Sequence, residues 1–412
     1  MARGDLIELD ITDIVYGGNA FGRHEGKAVF VPYALPGERV EARIVEERKR
    51  FAVAQVERVL TASPERVEPP CPYFGPGKCG GCQWQHMDYA AQLATKEKIV
   101  RDQLTRFGGI ADAQIAPTLP SPEPWAYRSH ATMQTTGDGR LGYIATDRKT
   151  LIPIETCLIV RPELDALLGD LPAEDLEGVR RVRLQVGNVT DDVLLIATEA
   201  DDPQDAETTP PEPDVRPDED ETPLPPADLN VRYNVHYREF QVTGGSFFQV
   251  NVPQAAALVE IVLRRLDLKG DERVLDLYAG VGLFTAFLAA EVRQVTAIES
   301  SPTAARDAQV NLAAFGNVLY IGDTVEEALP KVSGTFDAAV VDPPRSGLGA
   351  KVIALLLGIA PKKLVYVSCD PASLARDAKA LIEGGYTFVD AQPVDMFPQT
   401  HHVETIATFV RA

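Results

Sequence analysis

Several things are scarce in this chain of 412 residues. No apolar run reaches the ~18 residues that cross a bilayer, and the start, MARGDLIELD, lacks a basic-then-apolar leader pattern; a cytoplasmic protein without membrane segments is expected. Cysteines number only five, an odd count, so a disulfide scaffold is not expected. Positive charge is in deficit, with 40 Lys and Arg against 60 Asp and Glu for a net −20, which looks unfavourable for a polyanionic partner. The deficit is uneven, however. The segment 199–228 holds twelve carboxylates, one arginine and eight prolines and carries −11 of the total, leaving −9 elsewhere. Such a stretch buries too little apolar surface to offset its ordering entropy and reads as a disordered acidic insertion. A basic face elsewhere remains compatible with the composition.

With 45% hydrophobic and 24% charged residues the chain has the composition of a globular protein, long enough for two to four compact units. Residues 1–60 alternate apolar and polar positions between glycine turns, the pattern of a small closed barrel of the oligonucleotide-binding type. EERKRF supplies a local basic cluster, and Phe21 and Phe51 either stack on bases or fill the barrel. A proline- and cysteine-rich link over 61–82 precedes a segment of helical periodicity that stops at Gly108-Gly109. The region 119–243 is strand-rich and contains the acidic insertion. From 244 onward strands and helices alternate, which predicts a doubly wound parallel α/β sheet. The division expected is 1–60 for the barrel, 61–82 with 119–243 for a central domain, and 83–118 with 244–412 for the α/β domain.

RVLDLYAGVGLFT places Gly280 and Gly282 where a strand runs into a helix, a turn that lets backbone approach a ligand. The third glycine of a dinucleotide fingerprint is absent; Thr285 stands there. Glu299 ends the next strand, where an acid accepts from ribose hydroxyls, and Asp323 and Asp342 end two more. The Asp-Pro-Pro that follows the fourth strand resembles S-adenosylmethionine-dependent methyltransferases rather than nicotinamide enzymes.

Cys369 follows the apolar run KLVYV, at a strand-to-loop junction. A lone thiol is ordinarily core filler. A methyl-transferring cofactor gives it a second meaning. Pyrimidine C5 is a poor nucleophile until a thiolate adds to C6, and a base must then remove the C5 proton so that the thiolate leaves. Glu404, just before the last apolar strand, can supply that base at the same edge. His401 and His402 either tune it or face solvent. The remaining cysteines, Cys71, Cys79, Cys82 and Cys157, comprise a C-x7-C-x2-C cluster and one remote thiol. They form a plausible tetrahedral set for zinc or an iron–sulfur cluster, and spacing does not separate the two.

SFFQVN, LDLYAGVGLFT, DPPRSG, SCDPASLARD and DMFPQTHHVE, in this order, resemble the bacterial RNA (uracil-5-)-methyltransferase family over essentially the whole chain, with a TRAM-like RNA-binding barrel first. The resemblance implies Cys369 as nucleophile and Glu404 as base. It implies cofactor contacts at Gln249, Tyr278, Gly280, Gly282, Glu299, Asp323 and Asp342, and a four-iron four-sulfur cluster on Cys71, Cys79, Cys82 and Cys157. The expected substrate is a uridine of tRNA or 23S rRNA, extruded from its stack, and a monomer is the expected state. Two departures stand out. Leu283 occupies a position that is a polar cofactor contact in some members, and PGK widens the first cysteine gap. Two other readings compete: an RNA-binding protein with a vestigial methyltransferase fold, and an amino-group methyltransferase, against which Arg345 after the two prolines argues. Selectivity between RNAs is expected to lie in the barrel and in Tyr127, Arg128 and His130.

Overall fold

The computed structural model describes residues 1–190, 193–199 and 226–411; most of the acidic insertion lies outside the described residues. Strands β1 (Leu6–Ile14), β2 (Ala20–His24), β3 (Lys27–Val31), β4 (Arg39–Glu47) and β5 (Phe51–Thr61) close into a barrel in the order β1-β2-β3-β5-β4. Period-two alternation turns Ile7, Leu9, Ile11, Val29, Val40 and Ile44 inward. Closure of so small a barrel needs small residues where strands crowd. A Cβ on Gly22 would lie 2.4 Å from the Asp10 carbonyl oxygen.

Helix α1 (Tyr89–Arg106) starts where the Asp88 carboxylate accepts from the Ala90 amide at 2.9 Å. It ends just ahead of Gly108-Gly109 and is apolar on two sides. Ala91 and Ile99 join the barrel core with Trp84 and Met87, whereas Val100 and Leu104 join the core of the large C-terminal sheet. The helix is therefore a wedge between the two. A second sheet, with β6 (His130–Thr135), β7 (Leu141–Ile144), β8 (Leu151–Pro153), β9 (Val179–Val186) and β10 (Val193–Glu199), has the order β10-β9-β6-β7-β8 and packs on α2 (Pro162–Leu168). The hairpin β11 (Asn230–Val235) and β12 (Arg238–Thr243) shares its core with α3 (Val252–Leu266).

The large sheet is built from β13 (Arg273–Leu277), β14 (Gln294–Glu299), β15 (Val318–Gly322), β16 (Ala338–Val341), β17 (Lys363–Ser368), β18 (Thr387–Val394) and β19 (Glu404–Val410), in the order β15-β14-β13-β16-β17-β19-β18. Helices α3, α4 (Leu283–Glu291) and α5 (Pro302–Asn311) cover one face, and α6 (Val325–Ala328), α7 (Gly349–Ile359), α8 (Pro371–Glu383) and α1 the other. Strands buried on both faces read as continuous apolar runs; in β17, Val365 and Val367 face one core and Leu364 and Tyr366 the other. The chain switches direction of growth between β13 and β16, which opens a ligand crevice at the carboxyl ends of the strands. One strand departs from the parallel pattern expected: β19 is antiparallel to both β17 and β18. Its start, not its end, therefore lies at the ligand edge. Among the described residues no helix is long and apolar enough to cross a membrane.

Candidate active site

Strand ends at the switch point carry the polar groups. Leu277 pairs with Ile298 on one side and Val341 on the other, so Tyr278, Glu299 and Asp342 sit at the same edge. Tyr278, with φ of 65°, and Gly280, with φ of 55°, turn in the left-handed region. That turn aims the Gly280 amide at Glu299, whose Oε2 accepts it at 2.9 Å, while Oε1 accepts from the Ser301 amide at 2.8 Å. Gly282, with φ of 90°, caps α4. A Cβ there would meet Leu312 at 3.0 Å. Leu283 turns into the hydrophobic core, so any contact from that position to a ligand must come from backbone. Gln249 is buried two residues before Asn251, the cap of α3. Asp323, just past β15, accepts from Lys331 Nζ at 3.1 Å, and that bond holds its carboxyl below the usual range.

The register of β17 and β19 locates the other half of the site. Ser368 lies opposite Thr405, so Cys369, one residue past the end of β17, and Glu404, the first residue of β19, both lie at this same edge of the sheet. Glu404 is buried, Cys369 is half-buried, and the Asp370 carboxylate caps α8 immediately after the cysteine. The His401 and His402 rings lie 4.2 Å apart between centroids, tilted by 37°. Burial and the nearby Lys96 and Arg345 push His401 down to about 4, and burial with its neighbouring cations holds His402 far below its ordinary value. Arg345 donates to His402 Nδ1 at 3.3 Å. Both imidazoles are neutral near pH 7 and bring no positive charge to Glu404.

Cys71, Cys79, Cys82 and Cys157, distant in sequence, line a single cavity walled by Tyr73, Phe74, Tyr143, Ile154 and Ile159. A Cβ on Gly80 would lie 2.9 Å from the Ile144 carbonyl oxygen, so the first glycine of the pair is sterically required, whereas one on Gly81 would meet only the Cys79 sulfur at 3.5 Å. Burial pushes the Cys79 thiol up to about 12 and raises Cys82 and Cys157 as well, with the neighbouring cysteines adding to the shift. Among the described residues no three His, Cys, Asp or Glu side chains are placed to hold a single metal ion.

Other features were signalled only in part by the sequence, or not at all. Phe21, Phe30 and Phe51 form a half-buried row across β2, β3 and β5, with centroids 5.8 and 5.5 Å apart and Arg23 over Phe21 at 5.5 Å. They lie outside the barrel core, which answers whether they fill it. Asp276 lies beneath the glycine turn, fully buried; the Thr285 hydroxyl donates to it at 2.5 Å, and burial raises its carboxyl to about 7. Lys96 and Asp395 form an ion pair with neither side chain exposed. An i-to-i+299 pair has no local signature.

The family model described as tRNA (Uracil-5-)-methyltransferase matches residues 227–411, and a TRAM domain model matches residues 2–56. A protein of Halalkalibacterium halodurans described as an uncharacterized RNA methyltransferase is 33% identical, covering 98% of this chain and 97% of its own length. One of Streptomyces avermitilis with the same description is 35% identical over 98% of each. The crystal structure of the Pyrococcus abyssi tRNA (uracil-54, C5)-methyltransferase with S-adenosyl-L-homocysteine is similar with a TM-score of 0.74 at 25% identity, covering 98% of this chain and all of that one. The TRAM-type barrel, the seven-stranded sheet and these full-length likenesses agree, and the chain belongs to the RNA (uracil-5-)-methyltransferase family of enzymes.

Proposed function

We propose that the protein methylates C5 of a uridine in tRNA or 23S rRNA, with S-adenosylmethionine as donor, through a covalent bond between Cys369 and C6. The observation that supports this reading is the β17–β19 register, in which Ser368 lies opposite Thr405, so that the adjoining Cys369 and Glu404 come to the same edge of the sheet. The cofactor supplies an electrophilic methyl group. In this reading Glu299 would accept from its ribose hydroxyls, Gly280 and Gly282 would let backbone approach it, and Tyr278, Asp342, Gln249 and Asp323 would complete its contacts. The Cys369 thiolate adds to C6 of the uracil ring, which makes C5 nucleophilic toward the methyl group. The buried Glu404 carboxylate then takes the C5 proton, the 5,6 double bond re-forms and the C6–S bond breaks. Access to C6 requires the base to leave its stack.

The barrel's outer face supports RNA as the partner. A row of half-buried rings beside Arg23 offers faces for unpaired bases, despite the acidic total charge. The four thiols suit an iron–sulfur cluster. Burial opposes thiolate formation there, and a cationic group replacing the protons is the compensation.

The test is incubation with methyl-labelled cofactor and separate tRNA and 23S rRNA transcripts, followed by nucleoside mass analysis. Labelled 5-methyluridine in one pool is expected. Cys369→Ala should bind cofactor without turnover, and Glu404→Gln should accumulate a protein–RNA adduct because the C5 proton stays. Cofactor binding by the wild type with no methylated nucleoside would favour the RNA-binding reading, and methylation by Cys369→Ala would refute the covalent route.

A further inference from the structure

One turn of the barrel touches both arms of the proposed catalytic pair. Tyr16 and Gly18 lie between β1 and β2. The Tyr16 hydroxyl donates to Asp370 Oδ2 at 2.6 Å. The other oxygen of that carboxylate accepts from the Ala372 and Ser373 amides at 2.6 and 3.0 Å and so caps α8. Ser368 Oγ accepts from the Asp370 amide at 3.2 Å. The residue between them is Cys369, so its backbone is held from both sides and the outer tether belongs to the barrel.

The second contact reaches the arm that leads to Glu404. Gly18 sits against His401 so closely that a Cβ would lie 2.5 Å from the His401 Cβ. Its carbonyl accepts from Trp84 Nε1 at 3.0 Å, and the Gln83 and Trp84 amides both donate to the Gln399 carbonyl, at 3.1 and 3.0 Å. Phe21, the first ring of the aromatic row, follows Gly18 by three residues.

Resting on the function proposed above, we propose that the β1–β2 turn positions the catalytic pair, with Tyr16 acting on Cys369 through Asp370, so that the domain that grips RNA also sets the nucleophile. Tyr16 is 46% exposed. A hydrogen bond at so exposed a site contributes little to global stability. Its effect is on where the α8 cap, and with it Cys369, comes to rest, and a small misplacement of a reacting atom is costly in rate. Tyr16 is thus a positioning residue, separable from residues that bind RNA.

The experiment uses the full chain and the RNA that the wild type methylates. Tyr16→Phe is expected to keep cofactor and RNA dissociation constants within about twofold and to leave the thermal midpoint unchanged. It should slow single-turnover methyl transfer, and adduct formation with a 5-fluorouridine RNA that blocks the final proton removal, by about ten- to a hundredfold, the scale of one charge-assisted hydrogen bond. Asp370→Ala should slow both steps too, and adding Tyr16→Phe to it should cost nothing further. Three results would overturn the proposal: a wild-type rate in Tyr16→Phe, additive losses in the double variant, or a loss of RNA affinity that accounts for the whole effect. A wild type that forms neither 5-methyluridine nor adduct would overturn the function itself, whatever the variants do.

Discussion

Replacing Lys96 by methionine tests whether the loop before Glu404 is held by charge buried in the wedge helix. The Lys96 ammonium donates to Asp395 Oδ1 and, at 3.0 Å, to the Phe397 carbonyl; Asp395 also accepts from the Tyr89 hydroxyl at 2.8 Å. Neither charged side chain is exposed. Burial pushes Lys96 below its ordinary pKa and the Asp395 charge opposes that shift. Methionine conserves the apolar stem against Trp84 but leaves Asp395 buried with one donor. Breaking a buried pair in this way costs about 3–5 kcal/mol. At about 2–4 °C per kcal/mol for a unit of this size, the thermal midpoint should fall by about 6–20 °C. Urea unfolding should show the same loss as a lower midpoint at unchanged slope. Lys96→Met with Asp395→Asn removes both charges and should lose less than Lys96→Met alone. A single variant within about 1 kcal/mol of wild type, the range of an exposed pair, would refute the reasoning. So would a double variant no better than the single.

Phe30→Ala, in the middle of the aromatic row, should weaken binding of unpaired RNA by about 1–3 kcal/mol in a titration and leave cofactor affinity unchanged; equal loss of both would mean the barrel had been damaged. Asp276 is protonated in the folded protein up to about pH 7 but ionised in the unfolded chain above about pH 4. Its folded pKa is raised, so stability falls as pH rises through that window, and Asp276→Asn should flatten the slope in denaturation measured from pH 4 to 7. A slope that survives the substitution would locate the titration elsewhere. Cys82→Ala should abolish bound iron and acid-labile sulfide in protein purified without oxygen, whereas Cys369→Ala should retain both; retention by Cys82→Ala would remove it from the ligand set.

The outline of the protein was legible because its signals are local. Period-two alternation with glycine turns specified the barrel, alternating apolar runs and helices specified the α/β sheet, and polar residues one position past each run specified the ligand edge. The strand ends at Glu299 and Asp342 needed no tertiary information. Phe21 and Phe51 were visible as aromatics, but their position outside the core depended on strand register, and Phe30 between them became meaningful only once β2, β3 and β5 were neighbours.

The arrival of Cys369 and Glu404 at one edge of the sheet shows where the sequence stops. The residue types and their places beside apolar runs follow from the chain alone. That β19 lies antiparallel between β17 and β18, and so begins where β17 ends, is visible only in the assembled sheet. The same holds for Tyr16 and Asp370, 354 positions apart, and for Lys96 and Asp395. Contacts at such separations carry no periodicity and no local propensity, and they exist because the barrel, the wedge helix and the sheet pack against one another. Sequence by itself determined the elements and the chemical groups at their ends; the tertiary structure alone decided which of those ends meet, because packing of whole faces, not local preference, sets distances between residues far apart in the chain.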